Sequence, residues 1–151
     1  MKRFRFRLEA VLGLRALAER SARERFGAAQ RRLADALADL RAAEQRRLDL
    51  ADALAGSRSG SFRPADQVGG LLALQEAERG ERDAAKRHAE ARLAGERARE
   101  EWLAARRRLQ VVERLQDRAR RAHREAADKA EQALLDELAS LAAARTSPRS
   151  A

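Results

Sequence analysis

Residues 74–112 read LQEAERGERDAAKRHAEARLAGERAREEWLAARRRLQVV. Ala77, Ala84, Ala91, Ala98, Ala105 and Val112 recur every seven residues across this stretch. Ala119, Ala126 and Ala133 carry the same register onward, and none of the nine positions is charged. A seven-residue repeat keeps one side of a helix apolar along its length, which is what a coiled-coil seam requires. The companion positions are Leu74, Glu81, His88, Gly95, Trp102 and Leu109, so this half of the seam is expected to be weak from Glu81 to Gly95. Small residues there let two helices approach closely, although Gly80 and Gly95 each cost about 1 kcal/mol of helix propensity relative to Ala.

A second stretch carries the same signal. Phe26, Leu33, Leu40 and Leu54 share one heptad position, with Arg47 as the exception, and Ala29, Ala36, Ala43 and Leu50 fill the companion position. Toward the N-terminus the pattern widens, because Leu8, Val11, Leu12, Leu14 and Leu17 cover more of the helix surface. Composition agrees: Ala, Arg, Leu, Glu and Lys make up 105 of 151 residues, well above the roughly one half that marks long helices and coiled coils. Ile and Tyr are absent, so strands are poorly supplied. The fold class read from these patterns is all-α: two long helices forming an antiparallel coiled-coil hairpin, the C-terminal one longer.

Gly56 to Pro64 read GSRSGSFRP, a cluster of Gly, Ser and Pro that marks the turn. Helix one is expected over about 5–55 and the loop over about 56–64. Helix two is expected from about 65, or from Leu71 after the Gly69-Gly70 pair, to about 144. Residues 1–144 then form a single coiled-coil hairpin, and 145–151 a disordered tail. A turn near residue 60 would set Ala55 against about Ala65 and Arg5 against about Val112 to Leu115. Roughly the last 25–30 residues of helix two would project past the N-terminus, about 40 Å at 1.5 Å per residue. That overhang carries an apolar stripe through Leu115, Ala119, Ala122, Ala126, Ala130, Leu134, Leu138 and Leu141, and an apolar stripe with no internal partner implies an external one.

No catalytic constellation is read from the chain. It has no Cys, and its Gly-Gly pair lacks the Lys-Ser or Lys-Thr of a phosphate loop. His88 and His123 lie about 50 Å apart on one expected helix, too far to share a metal. No metal, cofactor or small-molecule ligand is expected. The acid pairs Glu100-Glu101 and Asp136-Glu137 fall on helix surfaces. Arg106 to Arg108 and Arg118, Arg120 and Arg121 are basic clusters without interleaved aromatics, so they are read as solvated faces and nucleic acid is not expected as a partner. Phe4 and Phe6, alternating with arginines, are read as a lead-in that caps the coil, the alternative being a membrane-touching amphipathic end. No apolar run is long enough to span a bilayer, and Glu9 and Arg15 interrupt any secretory core, so the cytoplasm is the expected compartment.

From Trp102 to Ala139 the chain resembles the FliJ family, the coiled-coil components of the flagellar type III export apparatus. The residues carrying the resemblance are Trp102, the basic stretch Arg106 to Arg108, Val112 and Leu115, Glu131-Gln132, and Leu135-Asp136-Glu137. At the start, Phe6, Leu8, Glu9, Leu12, Arg15 and Glu19 are similar to the family's N-terminus. The resemblance implies a stalk-like protein in the pore of the hexameric export ATPase. It implies further contacts with the export gate membrane protein and export chaperones, and attachment to the membrane only through partners. Candidate ATPase contacts are Phe6, Leu8, Leu134, Leu135, Asp136, Glu137 and Leu138. Candidate gate contacts are Leu48, Leu50, Leu54, Leu71 and Leu74. The seam is assigned to Phe26, Leu33, Leu40, Ala91, Ala98, Trp102, Ala105, Leu109 and Val112. Alternatives are an injectisome stalk protein, or a structural coil that self-associates through its C-terminal overhang.

Overall fold

The computed structural model describes residues 3–57, Gly60 and 63–146, the last by its backbone alone. Two helices account for nearly all of them: α1, Glu9–Ser57, and α2, Pro64–Thr146. They pack against each other as an antiparallel hairpin, and α2 is the longer. The expected disordered tail beyond Thr146 lies outside the described residues.

Each helix end has a local cause. Glu9 and Asp66 place acids in the first turns, where a helix N-terminus favours negative charge. Pro64 opens α2 at the position where its missing N–H costs nothing. The Ser57 hydroxyl donates to the Leu54 carbonyl (2.9 Å), satisfying one of the last acceptors of α1. The first helix begins at Glu9 and not near Arg5, because residues 3–6 are non-helical and a turn at Arg7 and Leu8 leads into it.

Gly69 and Gly70 lie inside α2 and do not delay its start. A Cβ on Gly70 would lie 2.4 Å from a methyl of Leu54, so glycine there admits close contact between the helices. A Cβ on Gly69 would meet nothing within 4 Å. Gly69→Ala is therefore expected to stabilise the hairpin by about 0.5–1 kcal/mol. Gly70→Ala should gain much less, because Leu54 must move; thermal melts followed by circular dichroism compare the two.

Contacts divide the chain into two units, residues 19–105 and residues 3–18 with 106–146. In the first, Leu54 of α1 lies against Gly70 of α2, Arg47 against Glu81, and Phe26 against Trp102. Numbers rise on one helix as they fall on the other, which is antiparallel pairing. Every heptad position of α1 from Glu19 to Leu54 is buried or half-buried, and so is every one of α2 from Gly70 to Ala105. The fully buried residues are small: Ala22, Ala29, Ala43 and Ala84, the last only 1% exposed, together with Gly95. The larger seam residues Phe26, Leu33, Leu40 and Trp102 stay half-buried. Two helices cannot enclose a large side chain, so the core is a thin line of alanines flanked by Leu and aromatic residues.

Two charged exceptions in the heptads, Arg47 and Glu81, face each other. Arg47 and Glu81 form an ion pair with side chains 34% and 27% exposed. A polar pair at one level of a seam fixes register, since any shift leaves a charge against apolar neighbours. Glu81, read from the sequence as a weak point, is thus matched by the basic residue of the opposing repeat.

In the other unit, Val112 is buried and Leu12, Leu109, Gln116 and Ala119 are half-buried. Gln116 donates to the Glu9 carboxylate (3.3 Å), and the Phe4 ring meets His123 edge-on at 5.5 Å. The N-terminus thus reaches about two turns further along α2 than the expected pairing of Arg5 with Val112 to Leu115. The same offset is present in residues 19–105, where Arg47 opposes Glu81 and Phe26 opposes Trp102, each about eight residues further along α2 than a turn at residue 60 would set them. The projecting part of α2 is correspondingly shorter, and Leu115 and Ala119 belong to the paired region.

Candidate functional site

The exposed apolar side chains of this hairpin fall into separate places. Beyond Ala119 the only described residue of α2 that is even half-buried is Ala127. Leu134, Leu135, Leu138 and Leu141 are each 53–57% exposed, with Asp136 and Glu137 exposed between them. A helix this exposed would ordinarily be polar on all sides. Here four leucines within eight residues face water.

Phe6 and Leu8, grouped with these residues in the sequence reading, sit elsewhere. Phe6 is half-buried and Leu8 exposed. They line an open cleft of about 640 Å³ with Leu115 and Ala119, rimmed by Arg5 and Arg7. Leu134 lies fifteen residues past Ala119 on the same helix, about 22 Å away at 1.5 Å per residue. The structure does not bring the two halves of that candidate set together. It offers an arginine-rimmed cleft and a separate leucine tip.

The turn-proximal candidates also divide. Leu50, Leu54 and Leu74 are half-buried seam residues, whereas Leu48 and Leu71 are 44% exposed. The sequence reading missed Val68 and Leu72, which are more exposed still. Their signal was present as apolar residues outside the heptad positions. Leu14 and Leu17 near the start of α1 are likewise exposed, so the widened pattern there marks an apolar outer face.

The remaining seam candidates, Ala91, Ala98, Ala105 and Leu109, are half-buried. Trp102 packs its ring parallel to Phe26, with centroids 5.5 Å apart, and its indole N–H donates to Glu19 at 2.8 Å. The single Trp is therefore satisfied within the hairpin. His123 is exposed on α2 against Phe4, and Arg120 lies over the same ring at 6.0 Å. The lead-in aromatics cap the paired region.

Charge is unevenly spread along the chain. Residues 3–18 and 106–121 hold eleven arginines and three acids, a net +8 against +9 for the whole chain. Residues 122–146 hold five acids and three bases. Among the described residues no group of His, Cys, Asp and Glu could hold a metal ion, and no helix is long and apolar enough to cross a membrane.

What the arrangement can do is bind protein, through leucines and arginines displayed on helix surfaces. The profile of a family described as Flagellar FliJ protein matches residues 4–147. No curated protein and no solved structure matches the chain.

Proposed function

The chain belongs to the FliJ family of flagellar proteins, and from that premise we propose that it acts as the stalk of the flagellar export ATPase. As a FliJ-family protein it is a coiled-coil component of flagellar protein export. The finer reading is that the tip of α2 enters the pore of the hexameric ATPase and promotes its assembly and turnover. The other end of the hairpin meets the cytoplasmic part of the export gate, and the chain assists chaperones that deliver substrates. Its attachment to the membrane runs through these partners.

The observation that carries this reading is the tip itself. Leu134, Leu135, Leu138 and Leu141 remain on α2 after its internal partner has ended, and all are exposed. Burying one leucine is worth about 1.5–3 kcal/mol, so a ring lined with apolar residues gains much by accepting this segment. Phe6 and Leu8, in their own cleft beside Leu115, supply a second contact lower on the stalk. At the turn, Leu48, Leu71 and Leu72 are the exposed leucines available to the gate.

Leu134→Asp with Leu138→Asp tests the tip. Both side chains are exposed, so helicity should be unchanged, while affinity for the isolated export ATPase should fall at least about tenfold, roughly 1.4 kcal/mol or more. Unaltered binding would remove the tip from the interface.

A further inference from the structure

One face of α2 carries a charge pattern that the stalk reading leaves unused. Arg114, Asp117, Arg121, Arg124, Asp128, Glu131, Leu135 and Leu138 are spaced alternately by three and four residues, so they form one stripe along the helix. All eight are exposed, and the stripe is offset from the seam positions Val112, Gln116 and Ala119, so it looks away from α1. Its first half holds three arginines and Asp117, with Arg118 adjacent. Its second half is acidic and apolar.

A stripe that changes sign at its middle is complementary to itself when a second copy runs antiparallel. With Arg124 set against Asp128 of the other copy, Arg121 falls opposite Glu131, Asp117 beside Leu135, and Arg114 beside Leu138. Twofold symmetry makes each contact twice, as a closed isologous interface requires. The ion pairs Arg25–Glu101, Arg47–Glu81 and Arg79–Glu76 all lie in residues 19–105 and do not draw on this stripe. We infer that two copies of this chain associate antiparallel through the outer face of α2, residues 114–138, by these reciprocal arginine–carboxylate pairs.

The charge distribution favours a second copy over other occupants. Nucleic acid would use the basic half alone, and the acidic half on the same stripe would repel it. An unrelated acidic helix would likewise meet Asp128 and Glu131. A second copy satisfies both halves at once. The dimer covers Leu135 and Leu138, so it would hold the chain out of the ATPase ring; this consequence rests on the stalk reading, whereas the association does not.

The test uses the full chain without any ATPase, which separates it from that reading. Sedimentation velocity over a concentration series should show a monomer–dimer equilibrium that weakens as salt rises. Arg121→Glu with Arg124→Glu reverses the arginines of these pairs; Asp128→Arg with Glu131→Arg reverses their carboxylates. Each altered chain should dissociate at least about tenfold more readily than the original, because like charges now face each other. Mixing the two should restore a dimer, since every reversed residue then meets its opposite. Circular dichroism of each confirms unchanged helicity. A monomeric original chain, a dimer indifferent to either reversal, or a mixture that stays monomeric would each overturn the inference.

Discussion

Trp102→Ala is expected to lower the stability of the hairpin by about 2–3 kcal/mol. Truncating a buried Trp typically costs about 3–5 kcal/mol, and Trp102 is half-buried, which trims that figure. Three contributions are lost together. The ring leaves its parallel stack on Phe26, a pair worth about 0.5–1.5 kcal/mol beyond area. The hydrogen bond to Glu19 disappears, leaving a half-buried carboxylate without this donor. The remainder is apolar area returned to water. For a chain of this size the melting temperature should fall by about 5–10 °C. Trp102→Phe keeps a stack and loses only the N–H donor, so it should cost about 1 kcal/mol. Urea unfolding followed by circular dichroism measures both. A Trp102→Ala cost no greater than that of Trp102→Phe would mean that the ring adds nothing to pairing.

The second large effect is functional. A chain ended after Ala127 retains every buried and half-buried described residue, because residues 128–145 are all exposed. Its stability should change by less than about 1 kcal/mol, since surface segments that pack against nothing contribute little. Its stimulation of the export ATPase should vanish, because Leu134, Leu135, Leu138 and Leu141 go with the deleted segment. A truncated chain that still stimulates fully would place the active surface elsewhere, with the arginine-rimmed cleft at Phe6 and Leu8 the next surface to alter.

The seam was legible in the sequence because a heptad repeat is a one-dimensional signal that needs no partner to be recognised. Its exceptions were not. Arg47 and Glu81 each look like a defect when the helices are read separately, and only the register makes them a pair. The start of α1 was misjudged because residues 3–8 sit beside strong helix formers. Their alternation of Phe and Arg is the period of extended chain; the later pairing of Phe4 with His123 and the shorter overhang go with the register that Arg47–Glu81 and Phe26–Trp102 also keep.

The candidate surfaces were legible in part for the same reason. Leu134 to Leu141 stood out because they lie past the end of the partner helix. Near the turn, leucines of the seam and of the surface are interleaved, and composition cannot tell Leu50 from Leu48; helix rotation decides it, leaving Leu50 half-buried and Leu48 exposed. The self-complementary stripe escaped notice because acids and bases are interleaved along the chain, and its pattern emerges only after one face of α2 is isolated.

The central claim is that this hairpin serves the export ATPase as a stalk. Its most direct test is ATP turnover by the flagellar export ATPase of the same organism, at fixed salt, titrated with the full chain. Stimulation that saturates near one chain per hexamer is the result predicted. No change in turnover, together with no co-elution of chain and hexamer, would contradict it.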